Sequence, residues 1–217
     1  MRVMIVGATG LVGQGALAAC VAAEDVERIA LLGRRRADVD DPRIEQFQAT
    51  DLRQAQAAHA IFRGLDACLY CAGVVPGLSE ADYRDVTVDV TLHVARAFAA
   101  ANPSGTFIYV SGAGADAGSV IMPLRVKGEA EDALRDLPVR TVMVRPGIVQ
   151  PIDGVRSPHD LRATAYLLVA PMLGLGQRFA PNVFTTSTCV GRAMLVAARS
   201  PTLNTVLDNA AINRLGA

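Results

Sequence analysis

The feature that most constrains this chain is a glycine-rich turn between two apolar segments at its N-terminus. Residues 3–6 are continuously apolar, a pattern typical of a parallel strand covered on both faces. The turn GATGLVG follows at once, and residues 11–23 form an alanine-rich segment that favours a helix. A strand, a glycine turn and a helix in this order make the first half of a dinucleotide-binding unit, in which N–H groups at the helix N-terminus bind a pyrophosphate.

Each glycine of the turn has a predicted role. Gly7 lets the chain leave the strand in a tight turn, Gly10 leaves room for the phosphates, and Gly13 allows the helix to lie close to the sheet. The alternative is a lipoprotein export signal ending at Cys20. Because the glycines interrupt the apolar helix that such a signal requires, the phosphate site is the favoured interpretation.

The residues after the second predicted strand indicate which nucleotide binds. An NAD site carries Asp or Glu there, about 20 residues past the glycines, to bond the ribose 2′-hydroxyl. In this chain Arg34, Arg35 and Arg36 follow the strand instead. Guanidinium groups suit a 2′-phosphate, so we expect NADP(H) as the cofactor. The alternative is a solvated basic turn, with Asp38 or Asp40 serving NAD.

The remaining pattern alternates strands with helices. It predicts strands over 67–70, 106–110 and 139–144, and helices over 54–62, 79–101 and 124–137. This order is typical of an α/β fold with one Rossmann-type, doubly wound parallel sheet and helices on both faces. We expect one domain over residues 1–217, with 148–188 as a small substrate-side lid region.

Composition restricts the partners. Lys plus Arg and Asp plus Glu both number 21, so no net field attracts the protein to nucleic acid or to a membrane surface. A small-molecule substrate is therefore favoured. The four cysteines lie in apolar segments, which favours buried thiols in a reducing compartment and predicts a cytoplasmic protein.

Several motifs together resemble a known family. GATGLVG, YCAG after the fourth strand, YVSGAGAD after the fifth, VKGEAE in the next helix and VRPGIV after the sixth strand are similar to an atypical short-chain dehydrogenase/reductase. The tail, TSTCVGRAML and VLDNAAINRLG, is similar to the branch that contains the Tat-interacting-protein-type oxidoreductases.

The resemblance implies an NADP(H) site, to which the sequence itself adds Asp51 and Leu52 as residues that border the adenine. The predicted cofactor-binding residues are Gly7, Thr9, Gly10, Leu11, Val12, Gly13, Arg34, Arg35, Asp51, Leu52, Cys71, Ala72, Gly73, Lys127, Pro146, Gly147, Ile148 and Val149.

The catalytic set that the resemblance implies is incomplete. The family uses a tyrosine four residues before its lysine as the proton donor, with a serine after the fifth strand. Here the lysine is Lys127, but Pro123 stands in the place of the tyrosine. Ser111 is the candidate serine, although the reactive serine of the family usually lies one or two places further on, so a structural role is the alternative. Substitute donors would be one of the four tyrosines, Tyr70, Tyr83, Tyr109 and Tyr166, of which Tyr70 and Tyr109 lie in apolar strands that favour core packing.

Other candidate sites are weaker. Cys68 and Cys71 have redox-motif spacing but lie along a strand, where side chains alternate between faces. His59, His93 and His159 lack the spacing of metal ligands, so no metal site is predicted.

The sequence therefore predicts an NADP(H)-binding oxidoreductase acting on a small carbonyl or alcohol. One alternative is a catalytically degenerate, NADPH-dependent binding or regulatory protein, which would also have a protein partner. A sugar-nucleotide epimerase is a third possibility. A homodimer through the helices predicted over 79–101 and 124–137 is the oligomer that the resemblance implies.

Overall fold

A seven-stranded, fully parallel sheet forms the centre of the protein. The computed structural model describes residues 1–57, 59–73, 77–151, 182–203 and 205–217. The strands are β1 (Arg2–Val6), β2 (Arg28–Gly33), β3 (Ile44–Gln48), β4 (Ala67–Tyr70), β5 (Thr106–Val110), β6 (Arg140–Val144), β7 (Ile148–Gln150), β8 (Phe184–Thr186) and β9 (Val206–Leu207). The order across the large sheet is β3-β2-β1-β4-β5-β6-β9, and β7 pairs with β8 in a separate parallel ribbon.

Helices cover the two faces of the sheet. They are α1 (Leu11–Ala22), α2 (Glu80–Arg84), α3 (Thr91–Ala101), α4 (Met122–Arg135), α5 (Ser187–Arg199) and α6 (Asn209–Gly216), with a π-helical segment, Asp85–Val90, joining α2 to α3. Short 3₁₀ helices span Leu52–Ala57 and His59–Phe62. None of the helices in the described ranges is long and apolar enough to cross a bilayer.

Side-chain alternation along the strands produces two cores. Met4 and Val6 of β1 pack on the face covered by α3 and α4, whereas Val3 and Ile5 pack on the face covered by α1 and α5. Because both faces are covered, the central strands β1 and β4 are buried and apolar over residues 3–6 and 67–70, as the sequence suggested, whereas the edge strand β3 carries polar residues. The prediction of a doubly wound α/β fold is confirmed.

Most predicted elements are present, with one correction. The helix predicted over 54–62 is instead the pair of 3₁₀ helices. The second 3₁₀ helix is set by tertiary contacts, since Phe62 is buried in the core with Phe98 and its carbonyl accepts a hydrogen bond from Asn102 Nδ2 at 2.6 Å. Ser79 caps α2, since its hydroxyl accepts a hydrogen bond from Asp82 N. Of the predicted lid region, residues 152–181 lie outside the described residues.

Candidate functional site

The glycine turn lies at the carboxyl end of β1, where ligands bind in sheets of this type. Gly7 has a φ of +81°, a conformation that favours glycine. A Cβ at Gly13 would lie 2.1 Å from the Gly7 oxygen, so the N-terminus of α1 packs directly on the turn. A Cβ at Gly10 would meet only the Gly7 oxygen, at 3.4 Å, so the space above Gly10 is open.

The first turn of α1 exposes donors at this open space. Gly10 is the N-cap residue and offers no side chain to the helix, so the early N–H groups have no side-chain cap. Leu11 and Val12 are partly exposed there, and the Thr9 carbonyl accepts a hydrogen bond from Gln14 at 3.2 Å. N–H groups at the positive end of a helix dipole can bind an anion such as a pyrophosphate.

The three arginines after β2 are exposed, and their backbone is fixed by glutamines of the edge strand. Gln48 donates to the Arg34 carbonyl at 2.9 Å. Gln46 bonds both the N–H and the carbonyl of Ala37, at 2.9 and 3.0 Å. In the described part of the chain, no carboxylate pairs with the guanidinium of Arg34 or Arg35. Both cations are therefore available to a ligand.

Sequence reasoning missed the two glutamines. A depression at the carboxyl ends of β2 and β3 is lined by Gly33, Arg35, Arg36, Gln46 and Gln48, among others. The polar residues of β3, in the sequence IEQFQ, are the signal that could have indicated them.

Asp51 and Leu52 follow β3. The Asp51 carboxylate accepts a hydrogen bond from Arg53 N at 3.0 Å, and this contact with Arg53 lowers the pKa of the carboxyl. Arg53 also pairs with Asp85, which begins the π-helical segment. Leu52 is half-buried against the core. Their contact with an adenine stays a prediction.

The Cys71 to Gly73 turn lies against the glycine turn. Cys71 N donates to the Val6 carbonyl at 2.9 Å, and a Cβ at Gly7 would lie 2.8 Å from Ala72 N. A Cβ at Gly73 would meet nothing within 4 Å, so the space there is open as well. Burial raises the pKa of the Cys71 thiol, which makes this cysteine a packing residue rather than a nucleophile.

Lys127 and Ser111 meet at the end of β5. Lys127, on α4, donates from Nζ to the Ser111 carbonyl at 2.5 Å. Burial lowers the pKa of Lys127 to about 8, against an opposing effect of the Glu131 carboxylate. The Ser111 hydroxyl is buried and has no hydrogen-bond partner among the described residues. A buried orphan hydroxyl of this kind indicates that a ligand or a water completes the site.

None of the tyrosines in the described part of the chain takes the place of the missing one. Pro123 lies in the first turn of α4, one turn before Lys127, where its missing N–H costs little. Tyr70, Tyr83 and Tyr109 all lie in the core, and burial raises the pKa of Tyr70 to about 12. The prediction that Tyr70 and Tyr109 pack in the core is confirmed, and Tyr166 lies outside the described residues.

The segment after β6 runs beside the serine loop. Ala113 N donates to the Pro146 carbonyl at 2.9 Å, and Gly147 N donates to Asn209 Oδ1 at 2.8 Å. Ile148 is exposed and starts the small ribbon that continues through Val149. Pro146 therefore lies against Ala113, two residues after the Ser111 carbonyl that Lys127 bonds.

Sequence reasoning also missed an ion pair behind this segment. Glu131, one turn after Lys127, is fully buried and accepts two hydrogen bonds from Arg145, at 2.9 and 2.6 Å. The sequence feature that could have indicated this ion pair is the carboxylate of Glu131, four residues after Lys127 on the same predicted helix.

The described residues fit a nicotinamide dinucleotide. Open space lies over the glycine turn, uncapped N–H groups begin α1, two unpaired arginines follow β2, and an orphan hydroxyl lies beside Lys127. No group of residues that could hold a metal ion occurs within the described ranges. The cysteines are free thiols, and Cys68 and Cys71 belong to cores on opposite faces of the sheet.

Known proteins resemble this chain in sequence and in fold. Protein FMP52-1, mitochondrial, of Scheffersomyces stipitis is 27% identical over 189 residues, covering 81% of each chain. Protein fmp52-2, mitochondrial, of Neosartorya fischeri is 26% identical and covers 98% of this chain and 94% of its own. An oxidoreductase of the short-chain dehydrogenase/reductase family from Burkholderia thailandensis superposes with a TM-score of 0.70 at 19% identity, over 97% of this chain and 92% of its own.

These relatives correct one expectation. Both FMP52 proteins are named mitochondrial, which overturns the cytoplasmic location predicted from the cysteines. The physical reason is that free, buried thiols are compatible with any reducing compartment, so they do not distinguish one from another.

The family match covers the part of the chain that carries the glycine turn and Lys127. The model of the NAD dependent epimerase/dehydratase family matches residues 3–127, which is more than half of the chain. This match and the Burkholderia structure confirm the resemblance to short-chain dehydrogenases/reductases. The chain therefore belongs to the NAD dependent epimerase/dehydratase family, whose members bind a nicotinamide dinucleotide.

Proposed function

We propose that the protein is an NADP(H)-dependent oxidoreductase that acts on a small carbonyl or alcohol. The observation that carries the choice of NADP(H) is the pair of exposed, unpaired arginines, Arg34 and Arg35, where an NAD site has a carboxylate. The bonds of Gln46 to Ala37 hold the following backbone to the edge strand.

The rest of the site divides between the two ends of the cofactor. The glycine turn and the start of α1 would hold the pyrophosphate, Asp51 and Leu52 would border the adenine, and Lys127 would hold the nicotinamide ribose. The bound nicotinamide supplies or accepts the hydride. The backbone from Pro146 to Val149 would position that ring.

Lys127 is also our candidate proton donor. With its pKa lowered to about 8, the ammonium form predominates at neutral pH and gives up a proton readily. In the reduction, Lys127 would release its proton to the carbonyl oxygen as the hydride reaches the carbonyl carbon, and solvent would reprotonate the amine. Because Lys127 would have to hold the ribose and donate the proton, two tasks that the complete set divides between lysine and tyrosine, we expect turnover below that of an enzyme with the complete set.

The test is a titration of NADPH and NADH on the wild type and on Arg34→Ala/Arg35→Ala. We expect NADPH to bind the wild type more tightly. The double variant should lose about 10- to 100-fold in NADPH affinity, the equivalent of a lost hydrogen bond between charged groups, while NADH affinity changes little. Arg96→Ala removes an exposed arginine on α3 and serves as the matched control. Equal affinity for the two nucleotides, or no binding, would refute the proposal.

A second function is favoured by Pro123. Because the described tyrosines are buried and Pro123 has no proton to give, the protein can instead be an NADPH-dependent binding or regulatory protein. It would then bind NADPH without turnover over a broad carbonyl panel and change its protein partners with NADPH. Identical partners with and without NADPH would exclude this alternative.

The architecture around the site is also a proposal. We propose that residues 1–217 form one domain, that residues 148–188 contribute the substrate side, and that two copies pair through the helices of residues 80–101 and 122–135. The ion pairs Arg84–Glu129 and Arg125–Glu80 hold α2 to α4 and would brace that face. A monomeric mass by light scattering would refute the dimer.

A further inference from the structure

Glu131 is a fully buried carboxylate within a polar cluster. Its two oxygens accept hydrogen bonds from Arg145 at 2.9 and 2.6 Å, and one also accepts a bond from Arg135 at 3.0 Å. The fork geometry toward Arg145 fixes both the distance and the orientation of the two groups. Buried ion pairs contribute little net stability compared with apolar pairs of the same size, so a role in positioning is a better reason for this one.

The pair connects two segments of the candidate site. Glu131 lies on α4 one turn after Lys127, which bonds the Ser111 carbonyl at the end of β5. Arg145 is the first residue after β6, and its N–H donates to the Leu207 carbonyl at 2.8 Å. The next residue, Pro146, accepts from Ala113 N at 2.9 Å. The ion pair therefore sets where α4 lies relative to the segment that begins at Pro146.

Arg135 is different although it bonds the same carboxylate. Its hydrogen bonds go to Glu131 and Asp132, both on its own helix. It therefore does not connect α4 to the segment after β6, and it provides a control for the loss of a guanidinium beside Glu131.

We propose that Glu131 is a positioning residue for the nicotinamide end of the cofactor site, acting through Arg145 and Lys127. This inference rests on the proposed function, because it assumes that Lys127 and residues 146–149 contact the nicotinamide half. In the proposed function the adenosine half would be held elsewhere, by the segment after β2. A loss of the Glu131 charge would therefore weaken the binding of the nicotinamide half and leave the binding of the adenosine half unchanged.

Glu131 also acts on the charge of Lys127. Burial lowers the pKa of Lys127 and the Glu131 carboxylate opposes that effect. Around these two groups lie the Ser111 carbonyl just after β5, Tyr109 on β5 and Arg145 just after β6. Asp116, Asp132 and Arg135 complete the charged groups near the pair. Removing the carboxylate should lower the pKa of Lys127 further.

The experiment compares two probes on four proteins. NADPH and adenosine 2′,5′-bisphosphate, which contains the adenosine half alone, are titrated on the wild type, Glu131→Gln, Arg145→Lys and Arg135→Met. For Glu131→Gln and Arg145→Lys we expect an NADPH affinity about tenfold weaker, the size of one lost hydrogen bond to a charged group, and an unchanged affinity for the bisphosphate. Arg135→Met should bind both probes as the wild type does.

The pH profile of NADPH binding separates positioning from general destabilisation. In the wild type we expect the affinity to fall as the pH rises through about 8, when Lys127 loses its charge. In Glu131→Gln the fall in NADPH affinity should begin at a lower pH. Arg135→Met keeps the carboxylate, so its affinity should fall at the same pH as in the wild type.

The outcomes distinguish the two proposals. A wild type that binds neither probe refutes the proposed function. A wild type that binds both, with Glu131→Gln and Arg145→Lys unchanged toward NADPH or equally weakened toward both probes, refutes the positioning role alone. If Glu131→Gln does not fold, Arg145→Lys, which keeps a charge opposite the carboxylate, carries the same comparison.

Discussion

Replacing two glycines of the same turn with alanine should have different effects, on stability at Gly13 and on NADPH binding at Gly10. A Cβ at Gly13 would lie 2.1 Å from the Gly7 oxygen and 2.8 Å from Ala8 Cα, so Gly13→Ala must move α1 by about 1.3 Å to reach ordinary contact at 3.4 Å. Overpacking against backbone costs about 1–3 kcal/mol, which lowers Tm by about 2–4 °C per kcal/mol in a chain of this length.

Gly10→Ala has a different physical consequence. Its Cβ would meet only the Gly7 oxygen, at 3.4 Å, and Gly10 has a φ of −79° that alanine adopts readily. The loss of a favourable N-cap residue and the reduced entropy of the unfolded chain each amount to less than about 1 kcal/mol and oppose one another. We therefore expect nearly unchanged stability but strongly weakened NADPH binding, because the methyl group occupies the proposed phosphate space.

Urea unfolding and NADPH titration on both variants test this pair. The expected pattern is an unstable Gly13→Ala and a stable Gly10→Ala that binds NADPH poorly. A Gly10→Ala variant with wild-type NADPH affinity would show that the pyrophosphate does not lie over this turn. A Gly13→Ala variant as stable as the wild type would refute the close approach of α1 to the turn.

Three further predictions concern buried polar groups. Burial lowers the pKa of Lys127 from 10.5 to about 8, so the unfolded chain binds more protons than the folded chain between these pH values. The free energy of unfolding of the wild type should therefore rise relative to that of Lys127→Met as the pH increases through this window. The same pH dependence in urea unfolding of both proteins would contradict this. Asn102→Ala should lower the free energy of unfolding by about 1–3 kcal/mol, because the buried N–H of Leu65 loses its acceptor at 2.8 Å, and a change below measurement error would disprove that role. Because Cys68 and Cys71 belong to opposite cores, Tm should be the same with and without a reductant, and a drop on reduction would reveal a disulfide.

Local sequence determined the strands and most helices of this fold. The apolar residues of β1 and β4 predict covered parallel strands, and the structure buries all four residues of β4. Ser79 and Pro123 mark the beginnings of α2 and α4 because capping depends on nearby residues alone. The segment over 54–62 was predicted incorrectly, because its contacts with Phe98 and Asn102 join residues distant in sequence.

The glycine turn, the arginines after β2, the lysine on α4 and the absence of a tyrosine at position 123 could all be identified from the sequence alone, because each of these depends on residue type and short spacing. Only the tertiary structure decided that Gln46 and Gln48 fix the backbone of the arginine turn, and that the Ser111 hydroxyl is left without a partner. It also decided that Glu131 meets Arg145 in the protein interior. These contacts join residues on different strands and helices, and their distances depend on how the helices pack against the sheet, which no local pattern encodes.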